Sequence, residues 1–207
     1  MLSLNKPFNE FDRLDRCLST YGTHFDLHGE KQVIFSNDIH CDNTIVILSG
    51  TVSLRRDESI LVGIAQAPFI IGLAEGVMKN EVNYTLVTEG ECTGYSLPSS
   101  QAMTLIDQNS LWRDAFCWLV WHSRIMEIRD LQLIGNNSYE QIRAMLLSMN
   151  NWDEQLRSRI GVMNYIQQKT CISRSVVAEV LAALRKGGYI EMKKGKLVSI
   201  NHLPSEY

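Results

Sequence analysis

The chain has little proline, no long apolar run and few cysteines, which lie far apart. Four prolines and 13 glycines in 207 residues are too few for a collagen-like or low-complexity chain, and 45% hydrophobic content excludes a strongly disordered one. No stretch reaches the ~18 consecutive apolar residues of a membrane helix. The longest candidate, Ala115 to Val120, is soon interrupted by His122, Ser123 and Arg124. A secretory leader is missing as well, because Asn9, Glu10, Asp12, Arg13, Asp15 and Arg16 arrive before any apolar run develops. The expectation is a cytoplasmic protein with no membrane partner. Cys17, Cys41, Cys92, Cys117 and Cys171 are odd in number and scattered, which suits reduced thiols better than a disulfide framework.

Positive charge is scarce on average: 20 Lys+Arg stand against 23 Asp+Glu, a net charge of -3. Taken whole, that argues against a nucleic-acid binder. Counted in two parts, residues 1 to 149 hold 11 basic and 18 acidic side chains, whereas residues 150 to 207 hold 9 and 5, so a body of -7 carries a module of +4. Such asymmetry points to a polyanion partner for the basic part.

The length allows one or two domains with their own cores. From Val33 to Leu97 the pattern is of short strands and turns: Thr44 to Leu48, a turn at Ser49-Gly50, Thr51 to Leu54, a turn at Arg55 to Glu58, then Ile60 to Ile64, Phe69 to Ile71, Tyr84 to Val87 and Gly94 to Leu97. This suggests a sandwich, roll or barrel. Phe8, Phe11, Leu14 and Leu18 mark a preceding helix, and Pro98-Ser99-Ser100 starts a short one containing Met103, Leu105 and Ile106.

A long helix follows from about Leu111 to Ile134 with two apolar stripes. Trp112, Phe116, Leu119, Met126 and Leu133 form one, and Leu111, Ala115, Trp118, His122 and Ile125 the other. One stripe can cover the β-domain while the other packs on a second copy, so a homodimer is the preferred reading over one wide stripe buried within a monomer. Gly135-Asn136-Asn137 breaks the helix as a hinge, with Ser138 and Gln141 read as the next capping box. Domains are therefore expected at 1–108 (the β-domain), 109–135 (dimerisation helix and hinge) and 136–207 (the C-terminal module).

The C-terminal module is the most informative. Helical patterns at Ser138 to Met149 and Trp152 to Lys169 precede a turn at Thr170-Cys171-Ile172. Ser173 then caps a helix carrying Val176, Val177, Val180, Leu181 and Leu184 on its apolar side, and Gly187-Gly188 stops it. Tyr189 to Met192 and Lys196 to Ile200 are two strands joined through Lys193-Lys194-Gly195. Helix, turn, helix, hairpin is the order of a winged helix.

A recognition helix turns polar residues toward base edges from its first turns. Ser173, Arg174, Ser175 and Glu179 make that face. Lys169, Lys193, Lys194 and Lys196 are the candidate phosphate contacts, in a stretch holding seven basic and two acidic residues between Lys169 and Lys196. The competing reading is a helical hairpin whose basic face binds a protein partner. DNA is preferred because turn, helix, stop and basic hairpin agree in order.

Ile172 to Leu181, with Leu184, Tyr189 and Ile190 following, resembles the Ser-Arg-x-x-Val signature of the cyclic-AMP receptor / fumarate-nitrate reductase regulator superfamily. The stretches Leu133 to Tyr139, Arg157 to Glu191 and Leu203 to Tyr207 look more narrowly like the inhibitor of hydrogen peroxide resistance family. The resemblance implies an α+β fold with a cyclic-nucleotide-binding-like β-roll, a long central dimerisation helix and a C-terminal winged helix-turn-helix. It also implies a transcription regulator on an inverted repeat of double-stranded DNA, acting in oxidative-stress defence, with RNA polymerase as a further contact. Arg174 matches the arginine that reads guanine. Ser175 stands where better-known members have an acidic reader and Glu179 where one has a second arginine, so the DNA preference should differ from theirs.

The sensor end departs from that superfamily. Its nucleotide pocket uses a Gly-Glu-Leu turn and an Arg-Ser pair, whereas this chain reads Gly72-Leu73-Ala74 and Glu81-Val82-Asn83, with no arginine between Arg56 and Arg113. A buried phosphate without a paired cation is costly, so cyclic AMP is not expected as effector, Lys79 being the nearest cation. No Cys-x-x-Cys exists for an iron-sulfur cluster. His24, His28 and His40-Cys41 fall short of the three or four ligands a closed metal site wants, and no cofactor is expected. No nucleophile-base pair, phosphate loop or metal motif supports an enzyme. Cys171, between Lys169 and Arg174, is the best-placed candidate for a redox thiol, although a small packing residue at a tight turn is the preferred account. Cys117 is expected in the core.

Overall fold

A computed structural model describes residues 4–29, 31–36, 42–57, 59–78 and 84–205. Expectations for His40, Cys41, Glu58, Lys79, Glu81, Val82, Asn83, Glu206 and Tyr207 lie outside these residues. The chain forms two compact units, Met1–Glu127 and Ile128–Tyr207.

In the first unit, α1 (Phe8–Leu18) precedes six strands: β1 (Thr23–Leu27), β2 (Val33–Ser36), β3 (Asn43–Arg56), β4 (Ile60–Gln66), β5 (Phe69–Ile71) and β6 (Tyr84–Pro98). All pairings are antiparallel. The long strands β3 and β6 form the spine, with β5 and β4 along the free side of β3 and β1 and β2 along that of β6.

Ser49-Gly50 is not a turn, as its composition suggested, but part of β3. The two expected strands Tyr84 to Val87 and Gly94 to Leu97 are likewise one, β6. Register shifts at Ile47/Ser49 and Gly50/Val52 absorb the irregularity. Gly50 has φ +90, and a Cβ there would lie 2.2 Å from the Glu91 carbonyl oxygen, so the glycine serves a bulge where β6 passes closely.

Alternation along β3 sends residues to two cores. Ile45, Ile47 and Val52 join Leu86 and Cys92 on one face. Val46 joins Tyr95 and Leu97 on the other, beneath Phe11, Leu14 and Leu18 of α1, Ala102, Leu105 and Ile106 of α2 (Ser99–Gln108), and Ala115 and Trp118 of α3 (Trp112–Leu133). Phe8, expected on the buried stripe of α1, is exposed. Trp118 is fully buried, and its indole N–H donates to the Ile70 carbonyl at 2.9 Å. Asp114, also buried, accepts from both Nε and Nη2 of Arg13 at 2.9 and 2.6 Å. This charge-assisted fork fixes α3 to α1.

The division between units falls within α3, after Glu127. The second unit continues with α4 (Ser138–Asn150), α5 (Glu154–Arg159), α6 (Val162–Thr170), α7 (Arg174–Lys186), β7 (Ile190–Lys193) and β8 (Lys196–Ile200). The α4 capping box is Asn137 with Glu140, one residue earlier than the Ser138–Gln141 reading. Asn137 Oδ1 accepts from the Glu140 N–H, and Glu140 Oε2 from the Asn137 N–H, at 2.9 and 2.8 Å. Tyr139, Ile142, Met145, Leu146 and Met149 of α4 form a core with Leu156, Val162, Tyr165, Ile166, Val177, Val180, Leu181, Leu184, Ile190, Leu197 and Leu203. No helix among the described residues is long and apolar enough to cross a membrane.

Candidate nucleic-acid interface

The turn before α7 is built by three adjacent residues. Thr170 Oγ1 accepts from the Ile172 N–H at 3.2 Å, Cys171 takes the left-handed conformation (φ +59), and the Cys171 N–H donates to the Gln167 carbonyl at 2.9 Å. Ser173 is the N-cap as expected, its Oγ accepting from the Val176 N–H at 3.4 Å and lying 3.1 Å from Ser175 Oγ. At the other end of α7, Gly187 and Gly188 (φ +71) turn the chain, and the Tyr189 N–H returns to the Leu184 carbonyl at 2.9 Å.

Sequence periodicity divides α7 with one exception, Val176, which was expected on the apolar side and is exposed. Val177, Val180, Leu181 and Leu184 are buried, while Arg174, Ser175, Ala178, Glu179, Ala182, Arg185 and Lys186 are exposed. Ser173 and Cys171 are exposed as well, so the packing role preferred for Cys171 does not describe its position. Cys117, expected in the core, is half-buried.

The wing turn has Lys194 (φ +49) and Gly195 (φ +77) both left-handed, the signature of a two-residue type I′ hairpin. This geometry leaves Lys193 and Lys194 exposed. The wing is anchored to the body, since the Val162 N–H at the start of α6 donates to the Gly195 carbonyl at 3.0 Å.

Two of the expected phosphate contacts sit differently. Lys196 is half-buried and donates from Nζ to the Arg159 carbonyl at the end of α5, so it holds the wing. Lys169 is half-buried on α6. Burial pushes its ammonium down to about 8, and the nearby Arg129 guanidinium adds to the shift. Sequence reasoning placed both on the interface by charge alone, which carries no information about where a helix face points. Exposed Ala178 and Ala182 were missed because alanine is silent in a search for charge, although their i+4 and i+8 spacing from Arg174 could have revealed them.

In the first unit, the turn at Gly72 is the stretch compared above with the Gly-Glu-Leu turn of the superfamily pattern. Gly72 is left-handed (φ +87), and a Cβ there would lie 2.2 Å from the Asn43 carbonyl oxygen. The following Leu73 is buried in the core where the superfamily pattern has a glutamate. Ser99 Oγ donates to the Gly72 carbonyl at 2.9 Å, and Thr44 Oγ1 to Ser99 Oγ at 3.1 Å, closing the turn from within. His24 Nε2 lies 3.2 Å from the Ser19 carbonyl, and its ring is 5.2 Å from Tyr95.

The fold is of one class: a β-sheet domain, a long helix and a C-terminal winged helix-turn-helix. A family model described as winged helix-turn-helix DNA binding matches residues 138–205. The c-di-GMP responsive global regulator CLP of Xanthomonas campestris aligns with a TM-score of 0.69 at 14% identity, covering 92% of this chain and 99% of that one. A structure described as a crp/fnr-family transcriptional regulator from Eubacterium rectale aligns with a TM-score of 0.65 at 13% identity, covering 95% of each.

The chain belongs to the inhibitor of hydrogen peroxide resistance family. It is 69% identical over 207 residues to the inhibitor of hydrogen peroxide resistance of Escherichia coli (strain K12), and 64% identical over 207 residues to that of Salmonella typhimurium (strain LT2), covering 100% of each chain in both comparisons.

Proposed function

We propose that the protein is a homodimeric transcription regulator that binds an inverted repeat through α7 and modulates the response to hydrogen peroxide, without cyclic AMP as effector. The observation that carries the reading is the exposure of the stripe from Arg174 to Ala182 together with that of Lys193 and Lys194 of the wing. Arg174 is suited to O6 and N7 of guanine through its planar fork. Lys193 and Lys194 are suited to the adjacent phosphates. Functionally the chain divides as 1–108, a sensor-like β-roll; 109–135, dimerisation helix and hinge; and 136–207, the DNA-binding part.

Dimerisation is supported by exposed Trp112, Phe116, Leu119 and Met126 on α3, on the stripe adjacent to the buried Ala115 and Trp118. Two-fold symmetry sets half-site centres ~34–36 Å apart. RNA polymerase is a further partner of this reading, and no step in it requires an enzyme activity or a cofactor. The peroxide role is supported by the names of the Escherichia coli and Salmonella relatives, and loss of the protein is expected to raise survival under peroxide.

Selection of bound DNA from a random library, with and without peroxide, tests the reading. An enriched inverted repeat whose affinity falls steeply with salt is the expected result. Failure to enrich any repeat favours an interaction module that regulates through a protein partner. Direct sensing would fall on the exposed thiol of Cys171. A peroxide response undiminished in Cys171→Ser assigns sensing elsewhere.

A further inference from the structure

The exposed stripe of α7 runs Arg174, Ser175, Ala178, Glu179, Ala182, at spacings that keep these side chains on one face. Its chemistry is uneven. The Ser173 and Ser175 hydroxyls, 3.1 Å apart, are engaged with one another, and Ser173 Oγ also holds the Val176 N–H. Ala178 and Ala182 offer only methyl groups. Arg174 and Glu179 are therefore the two long polar side chains of its first two turns, with Arg185 following near the C-terminal end. Among the described residues, the Glu179 carboxylate takes part in no hydrogen bond or ion pair.

A carboxylate on a basic surface turned toward DNA is repelled by the phosphates. In a clamp that used charge alone, Glu179 would only weaken binding. In the major groove, however, two hydrogen-bond donors exist, the amino groups N4 of cytosine and N6 of adenine. Adenine places the acceptor N7 beside its amino group, and a carboxylate approaching N6 meets that lone pair. Cytosine has no acceptor beside N4 on its own major-groove edge.

We propose that Glu179 is the cytosine reader of α7, accepting a hydrogen bond from N4, while Arg174 reads guanine in the same half-site. The inference rests on α7 being the DNA-reading helix, as proposed above. Five residues of helix advance about 7.5 Å, roughly two base-pair steps, so the two side chains address different base pairs. Repulsion from phosphate makes the same carboxylate a device for specificity: it lowers affinity for DNA at large and returns it only where an amino group is presented.

The test is selection from random double-stranded DNA by the full-length protein, Glu179→Ala and Glu179→Gln at one fixed salt concentration, followed by titration of the enriched site and its single-base variants. The wild type is expected to enrich an inverted repeat with a cytosine in each half-site, and replacing that base pair should weaken binding roughly tenfold. Glu179→Ala should bind all four variants of that position alike, keep the guanine preference and bind random DNA more tightly than the wild type. Glu179→Gln should move the preference to adenine, whose N6 and N7 suit an amide. A Glu179→Ala protein that keeps the wild-type cytosine preference overturns the assignment and leaves α7 as the reading helix. A wild type that enriches no repeat overturns the DNA reading and this inference with it.

Discussion

On α3 the exposed positions include Trp112, Phe116, Leu119, Val120 and Met126, whereas on α7 they are Arg174, Ser175, Ala178, Glu179, Ala182, Arg185 and Lys186, with Val176 the large apolar exception. The start of α3 buries Asp114, Ala115 and Trp118 in the first unit, and α7 buries Val177, Val180, Leu181 and Leu184 in the second. The difference lies in the kind of surface that could cover the remainder. Apolar rings along a helix gain by excluding water against another apolar surface. Arginine, serine and glutamate retain their hydration until a partner presents matching donors and charges. Two faces of opposite chemistry thus suit two partners, a second copy for α3 and a polyanion for α7.

The sharpest break of this comparison is within α3 itself. Trp118→Ala empties a fully buried site and removes the bond to the Ile70 carbonyl, and is expected to destabilise the first unit by about 3–5 kcal/mol in denaturant unfolding. A loss no larger than that of an exposed residue would mean that this side of α3 is not the packed one.

Next is a titration on the same side. His122 stacks on Phe69 with ring centroids 4.9 Å apart, and burial, with Lys6 nearby, pushes its pKa down to about 4 from the ordinary 6.5. The neutral ring is the folded form, so its contribution is complete above about pH 6.5 and is lost as pH falls from there through about 4. The loss should approach about 3 kcal/mol. Unfolding measured across this window should show the slope in the wild type and a flatter profile in His122→Phe.

Phe116, two residues from Trp118, is 66% exposed. Phe116→Glu is expected to leave unfolding of the first unit nearly unchanged while weakening self-association by about 2 kcal/mol or more, as for a central interface aromatic. Sedimentation equilibrium reads the effect, and an unchanged association constant would remove this face from the dimer. On α7 the counterpart is Arg174→Ala, expected to weaken specific DNA binding by about 1–3 kcal/mol. An unchanged operator affinity in a gel-shift titration at fixed salt would remove Arg174 from the readout.

The second unit was more legible in the sequence than the first. Side-chain caps begin α4, α5 and α7, and the apolar set Val177, Val180, Leu181 and Leu184 marks the buried face of α7 from spacing alone. The α4 cap was misplaced by one residue, at Asn137 and Glu140, because Asn and Ser at neighbouring positions are both good caps. In the first unit Gly50 resembled a turn residue, yet it lies inside a long strand. What distinguishes a bulge from a turn is the approach of a strand some forty residues away, a contact that local sequence does not encode. At Lys169 and Lys196 charge was legible, but the burial of the first near Arg129 and the bond of the second to the Arg159 carbonyl were not.

Cys171 gives the smallest expected effect and joins the two halves of the α7 reading. A non-glycine residue at φ +59 holds its Cβ against the backbone, at a cost of about 1 kcal/mol. Glycine removes that cost, so Cys171→Gly should stabilise the second unit by up to about that amount, less the entropy that glycine adds to the unfolded chain. Denaturant unfolding of the variant is the measurement, and a fall in stability would show that the thiol contributes to packing despite its exposure. DNA affinity is the second reading. The turn aims α7 through bonds from the Cys171 N–H to the Gln167 carbonyl and from the Ile172 N–H to Thr170 Oγ1, neither of which uses the Cys171 side chain, so specific binding should be unchanged. If affinity falls while stability rises, the strained cysteine is holding the turn in the conformation that presents Arg174 and Glu179, and the exposed face of α7 is set by strain at its entrance rather than by its own periodicity.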